Sequence, residues 1–71
     1  MDNRIKYLNS RIDRLEAEFE RNRQQLHHLA EENRRGTSDY DTLLVRNLHI
    51  NDEIHSLLTA IWKLDEQQQH Q

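Results

Sequence analysis

The sequence predicts an all-α fold in which two long helices form an antiparallel hairpin. The chain of 71 residues contains no Pro and one Gly, so little interrupts a helix. Its apolar residues recur at steps of three and four, the spacing of one helix face. The single glycine, Gly36, lies at mid-chain and divides the pattern into two helices. A hairpin this small buries little core, so we expect it to assemble into a helical bundle or coiled coil.

The turn is predicted around Gly36, because glycine takes the left-handed conformation at a helix end without a Cβ clash. Ser38 is the expected N-cap of the second helix, with Asp41 as the acidic residue of the capping motif. The predicted limits are residues 3–34 for helix one, 35–38 for the loop, 39–67 for helix two and 68–71 for a frayed tail.

Helix one carries a single apolar seam. Asp2 or Asn3 is expected to cap its start. The seam follows the a and d positions of a coiled coil and consists of Ile5, Leu8, Ile12, Leu15, Phe19, Asn22, Leu26, Leu29 and Asn33. One seam suits one partner helix, so helix one is predicted on the outside of a bundle.

Helix two carries two seams side by side. The first consists of Leu43, Asn47, Ile50, Ile54, Leu57, Ile61 and Leu64. The second consists of Leu44, Leu48, Asn51, His55, Leu58 and Trp62. Together they cover about 160° of the helix surface, which is wider than a coiled-coil seam. Helix one cannot cover both, so the second seam is the predicted oligomer interface; the alternative is loose packing of helix one over both seams.

Polar residues interrupt the seams, and their positions predict a buried polar network of Asn22, Asn47, Asn51 and His55. The predicted hairpin places Asn22 level with Asn51, with Asn47 one turn away. A buried amide without a partner costs about 1–3 kcal/mol. A satisfied amide pair, by contrast, fixes the register of the helices at a modest cost in stability.

The second seam can pair with its own copy in two ways. In an antiparallel dimer centred on Glu53, an apolar residue meets an apolar residue in each outer layer, and Asn51 meets His55 of the second copy. In a parallel arrangement like meets like, giving rings of Asn51 and His55 that a three-fold bundle can also satisfy. Two-fold dimers are the commonest closed assembly, so a dimeric four-helix bundle is favoured over a trimer.

His55 is interpreted first as a neutral imidazole hydrogen-bonded within the amide layer. A pH-sensitive switch comes second, because imidazole titrates near neutrality, and a metal or catalytic role comes third. His49, Asp52 and Glu53 are near it in sequence, but His49 and His55 lie on different helix faces, so the four cannot converge on a metal ion. We therefore predict no metal site and no cofactor.

No enzyme is predicted either, because catalysis requires a pocket with a positioned nucleophile or acid–base pair. The hydroxyl residues Ser10, Thr42, Ser56 and Thr59 fall on regular helix surface. Without cysteine, disulfides and thiolate metal sites are excluded.

The net charge of −3 gives weak attraction for nucleic acid or an anionic membrane. No apolar run reaches membrane-spanning length and no signal-peptide pattern opens the chain, so we expect a soluble protein, cytoplasmic if it is natural. Arginines at both ends of the predicted hairpin make a small natural regulator that binds nucleic acid or a partner protein the alternative function. Acidic residues interleave with these arginines, so a charged solvent face is favoured over a nucleic-acid surface.

The stretch of residues 43–54, LLVRNLHINDEI, resembles the inner helix of de novo designed helical-hairpin homo-oligomers. In that class two concentric rings of helices enclose buried hydrogen-bond networks. The resemblance extends to the short capped loop, the single-seam outer helix and the double-seam inner helix. It implies that self-assembly is the function, specified by Asn22, Asn47, Asn51 and His55. The surface departs from the usual Glu/Lys-rich pattern in using Arg, Gln and His, which leaves a natural assembly protein as the alternative.

Overall fold

Two helices make up the computed structural model, which describes residues 2–69. Helix α1 spans Asn3–Glu31 and helix α2 spans Ser38–Gln69, and they pack antiparallel against each other. The predicted all-α hairpin is therefore confirmed. Its dimensions are 56 × 15 × 13 Å, close to a rod two helices wide.

The start of α1 is capped as the sequence predicts. Asp2 has extended backbone angles, and its carboxylate accepts a hydrogen bond of 2.7 Å from the backbone N–H of Arg4. This bond satisfies one of the N–H groups that the first turn of a helix leaves without a partner.

The end of α1 differs from the prediction, because Asn33 rather than Gly36 terminates the helix. Asn33 adopts φ 60°, a left-handed conformation that asparagine tolerates better than most residues. Its N–H donates to the carbonyl of Ala30 at 3.1 Å, and the N–H of Arg34 donates to the carbonyl of Leu29 at 2.8 Å. These are the two hydrogen bonds of a Schellman motif. The helix consequently stops at Glu31 instead of residue 34.

The second half of the turn is organised by Gly36 and Thr37. Gly36 has φ 81°, a left-handed conformation that glycine adopts easily because it has no Cβ. The hydroxyl of Thr37 accepts a 3.2 Å hydrogen bond from the N–H of Tyr40 and donates one of 2.8 Å to the carbonyl of Arg34. Thr37 is thus the N-cap of α2, and the prediction of Ser38 as N-cap was wrong by one residue. Asp41 correspondingly lies beyond the position that a capping box requires.

The far end of α2 extends past its predicted limit. Gln68 and Gln69, assigned above to a frayed tail, are helical. The Gln68 side chain donates a hydrogen bond to the carboxylate of Asp2, which joins the start of α1 to the end of α2 at the open end of the hairpin. His70 and Gln71, the rest of the predicted tail, lie outside the described residues.

The core of the hairpin is thin. The buried residues in the described chain are Ile12, Leu15, Asn22, Asn47 and Ile50. The accessible surface is 5605 Å², whereas a compact protein of 8.7 kDa exposes about 4,700 Å². A single hairpin therefore leaves much more surface in water than a globular protein of its mass.

The turn geometry predicts unequal effects at two adjacent positions. Thr37→Ala should lower the free energy of unfolding by about 1 kcal/mol, because it removes the N-cap hydroxyl. Ser38→Ala should change it little, since Ser38 is already inside the helix. Urea denaturation of both variants at one protein concentration measures the difference. An equal loss at both positions would contradict the assignment of Thr37 as the cap.

Candidate self-association surface and buried amide pair

A hydrogen bond between two buried amides joins the helices about a third of the way along the hairpin from the turn. The Asn22 Nδ2 group donates to Asn47 Oδ1 at 2.9 Å, and both residues are buried. Asn47 Nδ2 in turn donates to the main-chain carbonyl of Phe19 at 3.2 Å. Among the described residues, no buried side-chain nitrogen or oxygen lacks a partner, so hydrogen bonds offset the cost of removing these amides from water.

The partner of Asn22 is Asn47, so the prediction that Asn22 lies level with Asn51 was wrong. Because α1 ends three residues earlier than expected, the midpoint of the turn moves toward the N-terminus. Each residue of α1 then faces a position of α2 about one turn earlier than predicted. Asn51 and His55 are exposed on the hairpin, and the hydrogen bonds of Asn47 go to Asn22 and to the main chain of Phe19 instead. Their burial depends on a second chain and stays a prediction.

Two salt bridges between the helices lie along one edge of the hairpin. The guanidinium of Arg11 is 2.8 Å from the carboxylate of Glu53. Arg46 makes two hydrogen bonds to Glu18, with N–O distances of 2.5 and 2.9 Å. Hydrogen bonding from Arg46 lowers the pKa of Glu18 below its ordinary value of 4.5. Exposed pairs of this kind add little stability, so their contribution is mainly to alignment.

The two salt bridges are one heptad apart and opposite in sense, since the cation is on α1 in one and on α2 in the other. Sliding the helices by a heptad in one direction would bring Arg11 against Arg46. Sliding them the other way would bring Glu18 against Glu53. Either slip also separates the buried amides. These salt bridges were not predicted from the sequence. The signal that could have revealed them is a matching spacing, since Arg11 and Glu18 are seven residues apart and so are Arg46 and Glu53.

The second seam of α2 is exposed on the folded hairpin. We call it the outer stripe: Leu44, Leu48, Asn51, His55, Leu58 and Trp62. Its four apolar side chains keep 42%, 58%, 49% and 64% of their surface accessible, in chain order. Helical periodicity places the outer stripe and the salt bridges on opposite sides of the α1–α2 contact. The hairpin therefore has one charged edge and one apolar face.

The exposed apolar surface is concentrated on α2. On α1, Tyr7 is the one large apolar side chain that is exposed within residues 2–69, whereas α2 has Val45 in addition to the outer stripe. Large patches of this kind usually mark contact sites. Within the same residues no group of three or more His, Asp or Glu side chains is placed to hold a metal ion.

Comparisons with protein-family models, curated proteins and solved structures give no match. Neither helix, over the residues described, is long and apolar enough to cross a membrane.

The amide pair predicts a coupled response to mutation. Asn22→Leu or Asn47→Leu alone should destabilise the hairpin, because each leaves the other amide buried without its partner. The double variant removes that penalty, so we expect a coupling free energy of about 0.5–3 kcal/mol in a double-mutant cycle. Chemical denaturation at fixed concentration measures it. The control cycle combines Asn22→Leu with Asn51→Leu and should be additive; coupling there, or its absence between positions 22 and 47, would contradict the observed register.

The Glu18–Arg46 pair predicts a pH dependence with a defined sign. A carboxyl whose pKa is lower in the folded state stabilises the fold above its unfolded value, here 4.5, and loses that contribution as the pH falls through the folded value. Glu18→Gln should therefore lower the Tm at about pH 7 and reduce its fall on acidification to about pH 3. Thermal unfolding at fixed concentration tests this, with exposed Glu16→Gln as the control. Parallel pH profiles for the wild type and Glu18→Gln would contradict it.

Proposed function

We propose that this protein is a structural self-association module whose hairpins assemble through the outer stripe of α2. The observation that carries the proposal is the row of four large, exposed apolar side chains at heptad spacing on a helix that is already packed on its neighbouring face. Such a row on a regular helix is a coiled-coil seam without a partner.

The amount of exposed surface supports the same proposal. The hairpin exposes about 900 Å² more than a compact protein of its mass. A standard protein–protein interface buries about 800 Å² on each partner. Pairing two hairpins along the outer stripe would thus lower the surface exposed per chain to about that of a compact protein of 8.7 kDa.

The asymmetry between the helices favours α2 at the centre of the assembly. The exposed residues of α1 are polar apart from Tyr7 and the small Ala17, whereas the exposed face of α2 carries the aliphatic side chains and Trp62. Contact through α2 buries apolar surface, while contact through the outer face of α1 would bury charges. We favour a dimeric four-helix bundle, with a trimer as the competing copy number.

The arginines support a solvent face rather than a nucleic-acid surface. Arg11, Arg23 and Arg46 each have a guanidinium nitrogen within 2.5–2.8 Å of a carboxylate oxygen of the same chain. These cations are already paired with carboxylates, so they do not form a patch of unpaired positive charge. Strong phosphate binding instead requires a concentrated patch of unpaired basic residues.

The resemblance to designed hairpin oligomers supports the proposal as well. Those chains assemble through a double-seam inner helix with a polar layer among apolar layers. Here Asn51 and His55 interrupt the outer stripe at its centre and would form that layer. The buried Asn22–Asn47 pair is a second polar layer, within each hairpin.

Trp62→Ala should weaken assembly strongly. Trp62 is 64% exposed on the hairpin, and burying its indole against a second chain makes it an anchor whose truncation costs about 3–5 kcal/mol per buried side chain. Sedimentation equilibrium at two concentrations measures the association constant. Helix content of the assembled variant should change much less than its affinity.

The matched control is Tyr7→Ala. Tyr7 is an aromatic residue of similar exposure, 58%, but lies on α1 away from the outer stripe. It should leave the association constant nearly unchanged. A wild-type protein that is a cooperatively folded monomer at micromolar concentration would overturn the proposal, as would equal effects of the two substitutions on assembly.

A further inference from the structure

We infer that two copies meet with their α2 helices antiparallel, about a two-fold axis at the level of Glu53. The inference rests on the proposed function, because it specifies how the outer stripe meets a second copy of itself. The outer stripe has the same spacing in both chain directions: four, three, four, three and four residues. It also has the same polarity in both directions, with two apolar residues, two polar residues and two apolar residues. A two-fold interface requires a surface complementary to itself in this way.

The antiparallel pairing matches each layer by chemistry. Leu44 would face Trp62 of the second copy, and Leu48 would face Leu58 of the second copy. In the two central layers Asn51 would face His55 of the second copy. An amide offers both a donor and an acceptor, and a neutral imidazole offers one of each, so the polar pair can satisfy itself away from water. In an antiparallel coiled coil a positions layer against d positions, and these pairs follow that rule.

Other alignments match less well. A parallel dimer would place Trp62 against Trp62 and His55 against His55 in the same layers. An antiparallel dimer displaced by one heptad would place Asn51 opposite Trp62 and Leu48 opposite Asp65. Each of these leaves a polar group facing an apolar one or crowds identical rings, and a buried polar group without a partner is costly. The alignment centred on Glu53 avoids both faults and leaves Asp65 beyond the apolar layers.

The position of the outer stripe within the hairpin supports the same axis. Helix α2 runs from Ser38 to Gln69, so Glu53 lies at its midpoint. The midpoint of the outer stripe, between Leu44 and Trp62, is also Glu53. An antiparallel dimer about this level would therefore overlap the two α2 helices along their length of 32 residues, about 48 Å. Neither end of the interface would extend beyond the partner.

Cysteine cross-linking distinguishes the orientations, because the native chain contains no cysteine. Leu48→Cys and Leu58→Cys proteins are prepared separately, shown by sedimentation to assemble, mixed, and treated with a short bismaleimide. Antiparallel pairing predicts a mixed 48–58 product. It predicts no product for either variant alone above the level of Ser56→Cys, an exposed control off the outer stripe. Like positions would be ten residues apart along the axis, about 15 Å, beyond the reach of the reagent.

A second pair of variants is used in case a cysteine within the outer stripe prevents assembly. Val45→Cys and Thr59→Cys flank the outer stripe without altering it, and antiparallel pairing again predicts a mixed product. Homotypic products from assembled protein, at 48 with 48 or at 45 with 45, would overturn the antiparallel inference and leave self-association standing. Failure of the wild type to assemble would instead overturn the proposed function, and with it this inference.

Discussion

The hydrogen bond between Asn22 and Asn47 fixes how the two helices lie along each other. Leucines and isoleucines repeat at the same spacing on both helices, so apolar packing alone would accept a slip of one heptad. The amides would not, because a slip places each of them in an apolar layer without a partner. The opposed salt bridges of Arg11 and Arg46 add a weaker preference for the same register. Alignment therefore depends on a few polar groups, although most of the contact area is apolar.

That alignment also determines which surface is left uncovered. Once the first seam of α2 faces α1, the outer stripe must point away from it, since the two seams lie about a quarter turn apart on one helix. The charged edge lies on the opposite side. A thin hairpin core together with an uncovered apolar row is the reason why we propose self-association as the function of this chain.

Much of the candidate site could be predicted from the sequence, because heptad spacing assigns residues to helix faces without knowledge of the tertiary structure. The exposure of Leu48 and Trp62 on a single hairpin follows from that assignment alone. The partner of Asn22 could not be predicted in the same way. It depends on where the turn lies, and helix ends are the least certain features of a sequence pattern. Two candidates for the left-handed position, Asn33 and Gly36, were both present.

The sequence by itself determined two amphipathic helices, the turn between them, and the presence of more apolar surface on α2 than α1 can cover. These follow from periodicity and from the conformational preferences of individual residues, which are local properties. The tertiary structure decided the register, the choice of Asn47 rather than Asn51 as the partner of Asn22, and Thr37 as the cap of α2. The physical reason is that a shift of a few residues at the turn displaces every cross-helix pair together. The local pattern is the same before and after the shift, and only the contacts between the helices distinguish the two.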